Sequence, residues 1–177
     1  MSAVSDALSR ARRVRLMLFD VDGVLTDGRL WYGPGGEALK AFHAHDGHGM
    51  KMLQASGVQV GILSGRASAA VAARAAELGI DLVFQGVADK RARFDALLGE
   101  LDIAHPQVGY IADDVVDLPV LAACGFAATV REAPKLVRKR AHYVCAAPAG
   151  AGAAREACEY VMRAQGTLEG TLEAYLR

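Results

Sequence analysis

Val14-Arg15-Leu16-Met17-Leu18-Phe19-Asp20-Val21-Asp22-Gly23-Val24-Leu25-Thr26 decides how this chain is read. Val14 to Leu18 is short and mostly apolar, the pattern of a buried strand. Asp20 and Asp22 stand two residues apart, where that strand runs out into a glycine turn. Bare carboxylates are costly to bury unless a cation or dense hydrogen bonding compensates them. The first question is therefore what sits on Asp20 and Asp22.

Outward from this stretch, short apolar runs alternate with helical patterns. The pattern predicts strands over 15–20, 58–62, 82–84, 108–111 and 125–130, and helices over roughly 46–56, 67–78, 89–101, 115–123, 133–138 and 151–165. Gly79 is a good C-cap and Asp89 a good N-cap. The alternation predicts an α/β fold, a Rossmann-like parallel sheet with helices on both faces. Ligands in such sheets sit beyond the C-terminal strand ends, where the winding reverses. Arg29 to Phe42 breaks the alternation: strand, Gly33-Pro34-Gly35-Gly36 turn, strand. This β-hairpin flap, about 27–42, is expected to project over the two aspartates. The small-residue stretch Ala146 to Ala154 reads as flexible, and Thr167 to Arg177 as a tail or short terminal helix.

At 177 residues the chain reads as a single domain over 1–177. Its 20 basic and 20 acidic residues balance, which argues against nucleic acid as a main partner. No apolar run approaches the length that spans a membrane. The leading segment, Ser2 to Arg13, lacks the apolar centre of a secretory signal and reads as a solvated helix. Cys124, Cys145 and Cys158 are odd in number and lack CxxC spacing, so they read as buried, reduced thiols of a cytoplasmic protein.

Chemistry-bearing residues stand at the predicted strand ends. Asp20 and Asp22 follow the first strand, and Ser64-Gly65-Arg66 follows Val58 to Leu63. Lys90 opens a helix after the third strand, and Asp113-Asp114 with Asp117 follows Val108 to Ile111. Singly, each fits a solvated or capping residue; together they should converge on one rim of one sheet.

Asp20-x-Asp22-Gly-x-x-Thr26, Leu63-Ser64-Gly65-Arg66, Lys90 and Asp113-Asp114-x-x-Asp117 resemble, in order, the motifs of the haloacid dehalogenase-like (HAD) phosphohydrolases. The resemblance covers nearly the whole chain. It implies that Asp20 is a nucleophile forming an aspartyl-phosphate, and that Asp22 protonates the leaving oxygen and then deprotonates water. It implies that Ser64 and Lys90 hold phosphoryl oxygens. It implies a magnesium ion on Asp20, the main-chain carbonyl of Asp22, and Asp113. Asp114 then stands behind the metal, and Asp117 reads better as a cap or as the group orienting Lys90.

Most members of that superfamily carry a large cap domain. Here only a hairpin and one helix separate Asp22 from Ser64, so the chain resembles the capless group, with the hairpin in the cap's place. Phe19 to Gly28, Phe42 to Gly49, Gln85-Gly86, Tyr110 to Asp117 and Gly150 to Ala157 are similar to the Kdo 8-phosphate phosphatases of lipopolysaccharide biosynthesis (Kdo is 3-deoxy-D-manno-octulosonate). That likeness implies a sugar acid phosphate as substrate. The matching contact positions are Asp22, His43, Ala44, His45, Asp46, Gly47, Lys51, Arg66, Arg74 and Lys90. It also implies a homotetramer built through hairpins, with a C-terminal arm, about 146–177, reaching a neighbouring site. His43, His45, Lys51, Ala112 and Ala151 depart from the common family residues. Alternatives are a phosphatase of a nine-carbon sialic-type sugar acid phosphate or of broader sugar phosphates, and a receiver-type phosphoacceptor domain.

Overall fold

Leu16–Phe19 forms β1, and all four side chains are fully buried. In the computed structural model, which describes residues 3–176, β1 lies at the centre of the sheet. It pairs in parallel with β4 (Gln59–Leu63) on one side and β6 (Val108–Ala112) on the other. β5 (Leu82–Phe84) lies outside β4; β7 (Phe126–Val130) and β8 (Tyr143–Cys145) lie outside β6. Every pairing in this six-stranded sheet is parallel. The α/β expectation therefore holds. The chain winds from β1 towards β5, then returns past β1 to β6, so the winding reverses at β1 and a crevice opens at its C-terminal end.

Helices cover both faces. α2 (Ala44–Ala55) packs against α3 (Ala69–Leu78) and α7 (Ala153–Gln165), and α7 against α1 (Ala3–Ala11). α5 (Leu118–Ala123) packs between α4 (Lys90–Leu101) and α6 (Lys135–Arg140). Six of the ten residues of α3 are alanine, a strong helix former, and the helix ends at Gly79 in the left-handed conformation. The hairpin is present as β2 (Trp31–Gly33) and β3 (Gly36–Leu39), antiparallel, with a register shift at Trp31/Tyr32.

The structure departs from the sequence reading in several places. β8 was not expected; it forms because the edge of β7 offers it a ladder. The leading helix is docked rather than solvated: Ala7 and Ala11 are buried, and Gln165 binds the carbonyl oxygens of Ala11 and Val14. The stretch Ala146 to Ala154 is tied down rather than slack. Gly150 donates to the Val24 carbonyl at 2.9 Å, and Glu156 accepts from the amides of Ala146 and Ala147. Gly150 has φ +60°, and a Cβ there would stand 2.5 Å from the Asp27 amide, so only glycine fits. Much of the expected arm is therefore core of this chain: α7 buries Ala153, Ala154, Ala157, Cys158, Val161 and Met162. After Gly166, the described residues form α8 (Leu168–Glu173) and a turn. Ser2 and Arg177, the outer ends of the expected leading and trailing segments, lie outside the described residues.

Candidate active site

Asp20 follows β1 directly. Its amide donates to the Ile111 carbonyl, continuing the β1–β6 ladder, so the strand register itself aims the carboxylate into the crevice. The chain then makes one helical turn, with the amides of Val24, Leu25 and Thr26 all on the Val21 carbonyl. Thr26 Oγ1 accepts from the amides of Gly23 and Gly28 and so ties the loop across itself. Gly23 has φ +78°, and a Cβ there would lie 2.1 Å from Asp113 Oδ2. A side chain at position 23 would evict Asp113.

The other groups reach the same crevice from neighbouring strand ends. Ser64 follows β4 and is held by backbone bonds from its amide to Phe84 and from Val87 to its carbonyl. Its hydroxyl accepts from the Arg66 amide at 3.3 Å. Lys90 opens α4 behind Asp89, whose side chain caps the helix on the Ala92 amide. Lys90 Nζ lies 2.9 Å from Asp20 Oδ2 and 2.7 Å from Asp117 Oδ1. Tyr110 OH donates to the same Asp117 oxygen at 2.5 Å. Asp113 and Asp114 follow β6, Asp114 accepting from the Val115 amide. Thr129 on β7 fixes the preceding carbonyl, that of Ala112, at 2.6 Å.

Asp20, Asp22, Ser64, Arg66, Lys90, Asp113, Asp114 and Asp117 thus line one open cleft of about 270 Å³. Asp20, Asp113 and Asp117 bring carboxylate oxygens within 4.8 Å of one another. Against these three acids stands the single ammonium of Lys90. Burial, then the charge of Asp117, pushes Asp20 up to about 7. Burial, then the charges of Asp117 and Asp114, pushes Asp113 up to about 6. Lys90 is raised: burial pulls it down, but the charges of Asp20 and Asp117 outweigh that. Among the described residues Asp117 Oδ2 is a buried oxygen without a hydrogen-bond partner. Crowded, under-neutralised carboxylates with only oxygen to offer suit a hard divalent cation.

The remaining positions predicted to contact substrate separate. His43, Asp46, Gly47 and Arg74 line a small apolar pocket with Leu25, Phe42, Met50 and Val71. Ala44, His45 and Lys51 are exposed and line neither hollow. Asp46 is buried, and its oxygens accept from the amides of Gly152 and Arg155. Its carboxylate is committed to the start of α7. His43 caps α2, its Nδ1 accepting from the His45 amide at 3.3 Å. Arg74 pairs with Glu77.

Sequence reasoning missed Glu37, Lys40 and Tyr110. Lys40 touches Asp22 Oδ1, and Glu37 reaches both Lys40 and Arg66. Nothing in the local pattern announces that contact, because it exists only once the hairpin folds back. Tyr110 did carry a signal: a hydroxyl inside the otherwise aliphatic run Val108–Ala112 needs a partner when buried.

No family model matches the chain. It is 42% identical over 165 residues to a 3-deoxy-D-manno-octulosonate 8-phosphate phosphatase of Yersinia pestis, covering 93% of this chain and 88% of that protein. The crystal structure of a probable yrbI family phosphatase from Pseudomonas syringae pv. phaseolica superposes with a TM-score of 0.95 at 47% identity, covering 98% of each chain. The phosphatase of Moraxella catarrhalis, solved with magnesium, phosphate and Kdo, superposes with a TM-score of 0.94 at 34% identity, covering 97% of this chain and 98% of that one.

Proposed function

The chain belongs to the family of 3-deoxy-D-manno-octulosonate 8-phosphate phosphatases in the HAD superfamily, and from that premise we propose how its cleft works. The protein is a magnesium-dependent phosphomonoester hydrolase that converts Kdo 8-phosphate to Kdo and inorganic phosphate. The observation that carries this reading is the meeting of three carboxylates and one ammonium at the C-terminal end of β1.

A carboxylate oxygen of Asp20 attacks phosphorus, and the bond from phosphorus to the sugar oxygen breaks. Asp22 gives its proton to that departing oxygen. A water then attacks the phosphorus of the aspartyl-phosphate while Asp22 takes a proton back, and the bond to Asp20 breaks to release phosphate. The side chains of Asp20 and Asp113 and the Asp22 carbonyl would hold magnesium, whose positive charge would keep Asp20 and Asp113 ionised and offset the phosphoryl charge. The Ser64 hydroxyl and the Lys90 ammonium take phosphoryl oxygens, and Asp117 with Tyr110 behind it fixes Lys90 in place. Asp114 stands beside Asp113 at the mouth. Arg66 lines the cleft with its side chain 42% exposed, which supports a role in binding the carboxylate of the sugar acid, since a guanidinium binds a carboxylate in two-point fashion.

The hairpin exposes Leu30, Trp31, Tyr32 and Leu39, Trp31 by 55%. Four apolar side chains on one projecting element support self-association through it, and the proposed assembly is a homotetramer. The three free, buried cysteines fit the reducing cytoplasm.

Phosphate release with magnesium tests the substrate, comparing Kdo 8-phosphate with a nine-carbon sialic-type sugar acid phosphate and with simple sugar phosphates. A clear preference for Kdo 8-phosphate is expected; equal slow turnover of all three would refute the assignment.

A further inference from the structure

Asp22, Lys40, Glu37 and Arg66 close a ring of alternating charge at the foot of the hairpin. Lys40 Nζ contacts Asp22 Oδ1 and stands 3.2 Å from Glu37 Oε2. That Glu37 oxygen accepts from Arg66 Nη2 at 3.1 Å, and Arg66 Nε lies 3.5 Å from Asp22 Oδ2. Tyr32 OH accepts from the same Arg66 nitrogen at 2.8 Å. Tyr32 and Glu37 are direct partners across the hairpin, so both reach Arg66 from one face of it.

The two cations of the ring are not equivalent. The Arg66 side chain is 42% exposed and lines the cleft, where a ligand can draw it away. The Lys40 side chain is 1% exposed and does not line the cleft. Its ammonium is committed to two carboxylates, Asp22 and Glu37. A buried ammonium between two acids is held hard, because removing either partner strands a charge away from water. When Arg66 turns to a ligand, Lys40 is the cation left on Asp22.

We propose that Lys40 is a positioning residue for Asp22: from the hairpin it fixes the carboxylate where a proton passes to and from the leaving oxygen. This rests on the reading of Asp22 as acid and base given above. Lys40 does not touch substrate; its effect on proton transfer runs through Asp22, and an effect passed through Glu37 to Arg66 would fall on KM. The hairpin, so far a flap over the cleft, thereby becomes part of the proton-transfer apparatus.

Kinetics on two substrates test this. The sugar acid phosphate has an alkoxide leaving group that must be protonated; p-nitrophenyl phosphate has one acidic enough to leave without a proton. Asp22→Asn should lower kcat on the sugar acid phosphate by roughly a hundredfold or more, and the burst of p-nitrophenolate much less. Lys40→Met should lose roughly tenfold in kcat on the sugar acid phosphate, with the same spared burst and KM changed less than about twofold. Lys40→Arg should recover part of the loss with the same substrate dependence. Equal losses on both substrates, or a loss confined to KM, would overturn the role of Lys40. Should Lys40→Met not fold, Lys40→Arg carries the comparison with the same two outcomes. If Asp22→Asn itself fails to discriminate the substrates, the reading of Asp22 falls instead.

Discussion

Tyr110 reaches Asp117 inside the core, and Asp117 in turn holds Lys90 against Asp20. Tyr110→Phe removes one of the two donors on that oxygen without changing the packing volume. We expect a stability loss of about 1–3 kcal/mol by denaturant titration and a lower kcat, because Lys90 is less firmly aimed. Asp20→Asn should leave the fold intact and lower turnover by roughly 10⁴-fold or more, since it deletes the nucleophile but hardly any volume. Near-native turnover would refute Asp20 as the attacking group. The raised acids also set a pH dependence. A carboxyl whose folded pKa lies above its unfolded value takes up a proton on folding. Its stabilising contribution is full below the unfolded pKa and is lost as pH rises through the folded one. Asp113 at about 6 and Asp20 at about 7 start from 3.8. Metal-free protein should therefore lose stability between about pH 4 and pH 7, and magnesium should raise the melting temperature at pH 8 far more than at pH 5. Thermal scans with and without chelator measure this; a magnesium effect independent of pH would contradict it.

At the scale of elements, α2 and α7 meet through a glycine and an aspartate. A Cβ on Gly49 would stand 2.6 Å from Arg155 Cδ and 2.9 Å from its Cα. Gly49→Ala must push the helices apart and should cost about 1–3 kcal/mol. Asp46 caps α7 from α2, across the chain. Asp46→Asn should lower stability by about 1–2 kcal/mol while KM for the sugar acid phosphate changes less than twofold. A large KM change with stability intact would instead mark Asp46 as a substrate contact. These residues also mark where sequence reading stops. Strand ends were legible because apolar runs stop abruptly at acids and hydroxyls, which marked Asp20, Ser64 and Asp113; Lys90 was legible as the start of a helix behind the Asp89 cap. The capping role of Asp46 was not legible because its partners, Gly152 and Arg155, are remote in sequence and leave no local mark. β8 was not legible because Tyr143-Val144-Cys145 lies at the sheet edge with Val144 exposed, so no apolar run marks it; its ladder comes from β7. The buried face of α1 is made of alanines, Ala7 and Ala11, which look alike on a core face and on a solvated one.

For the whole molecule, the hairpin combines exposed aromatic and aliphatic side chains with a link to the cleft. Trp31→Asp should reduce the solution mass measured by light scattering, because a carboxylate cannot be buried unpaired in an interface. An unchanged mass would refute association through the hairpin. The sheet order has a further consequence. Each strand end supplies only part of the chemistry, and β1 must lie between β4 and β6 before the parts meet. Leu16 finds its partner at Val108, so much of the chain must be in place first. Pairings that span such long stretches of sequence form late and slowly. Regained turnover after dilution from denaturant will therefore time the closing of the β1–β6 seam, and should lag the return of helical signal from α3 and α4. Enzymatic activity in this chain is a stopwatch for the completion of its fold.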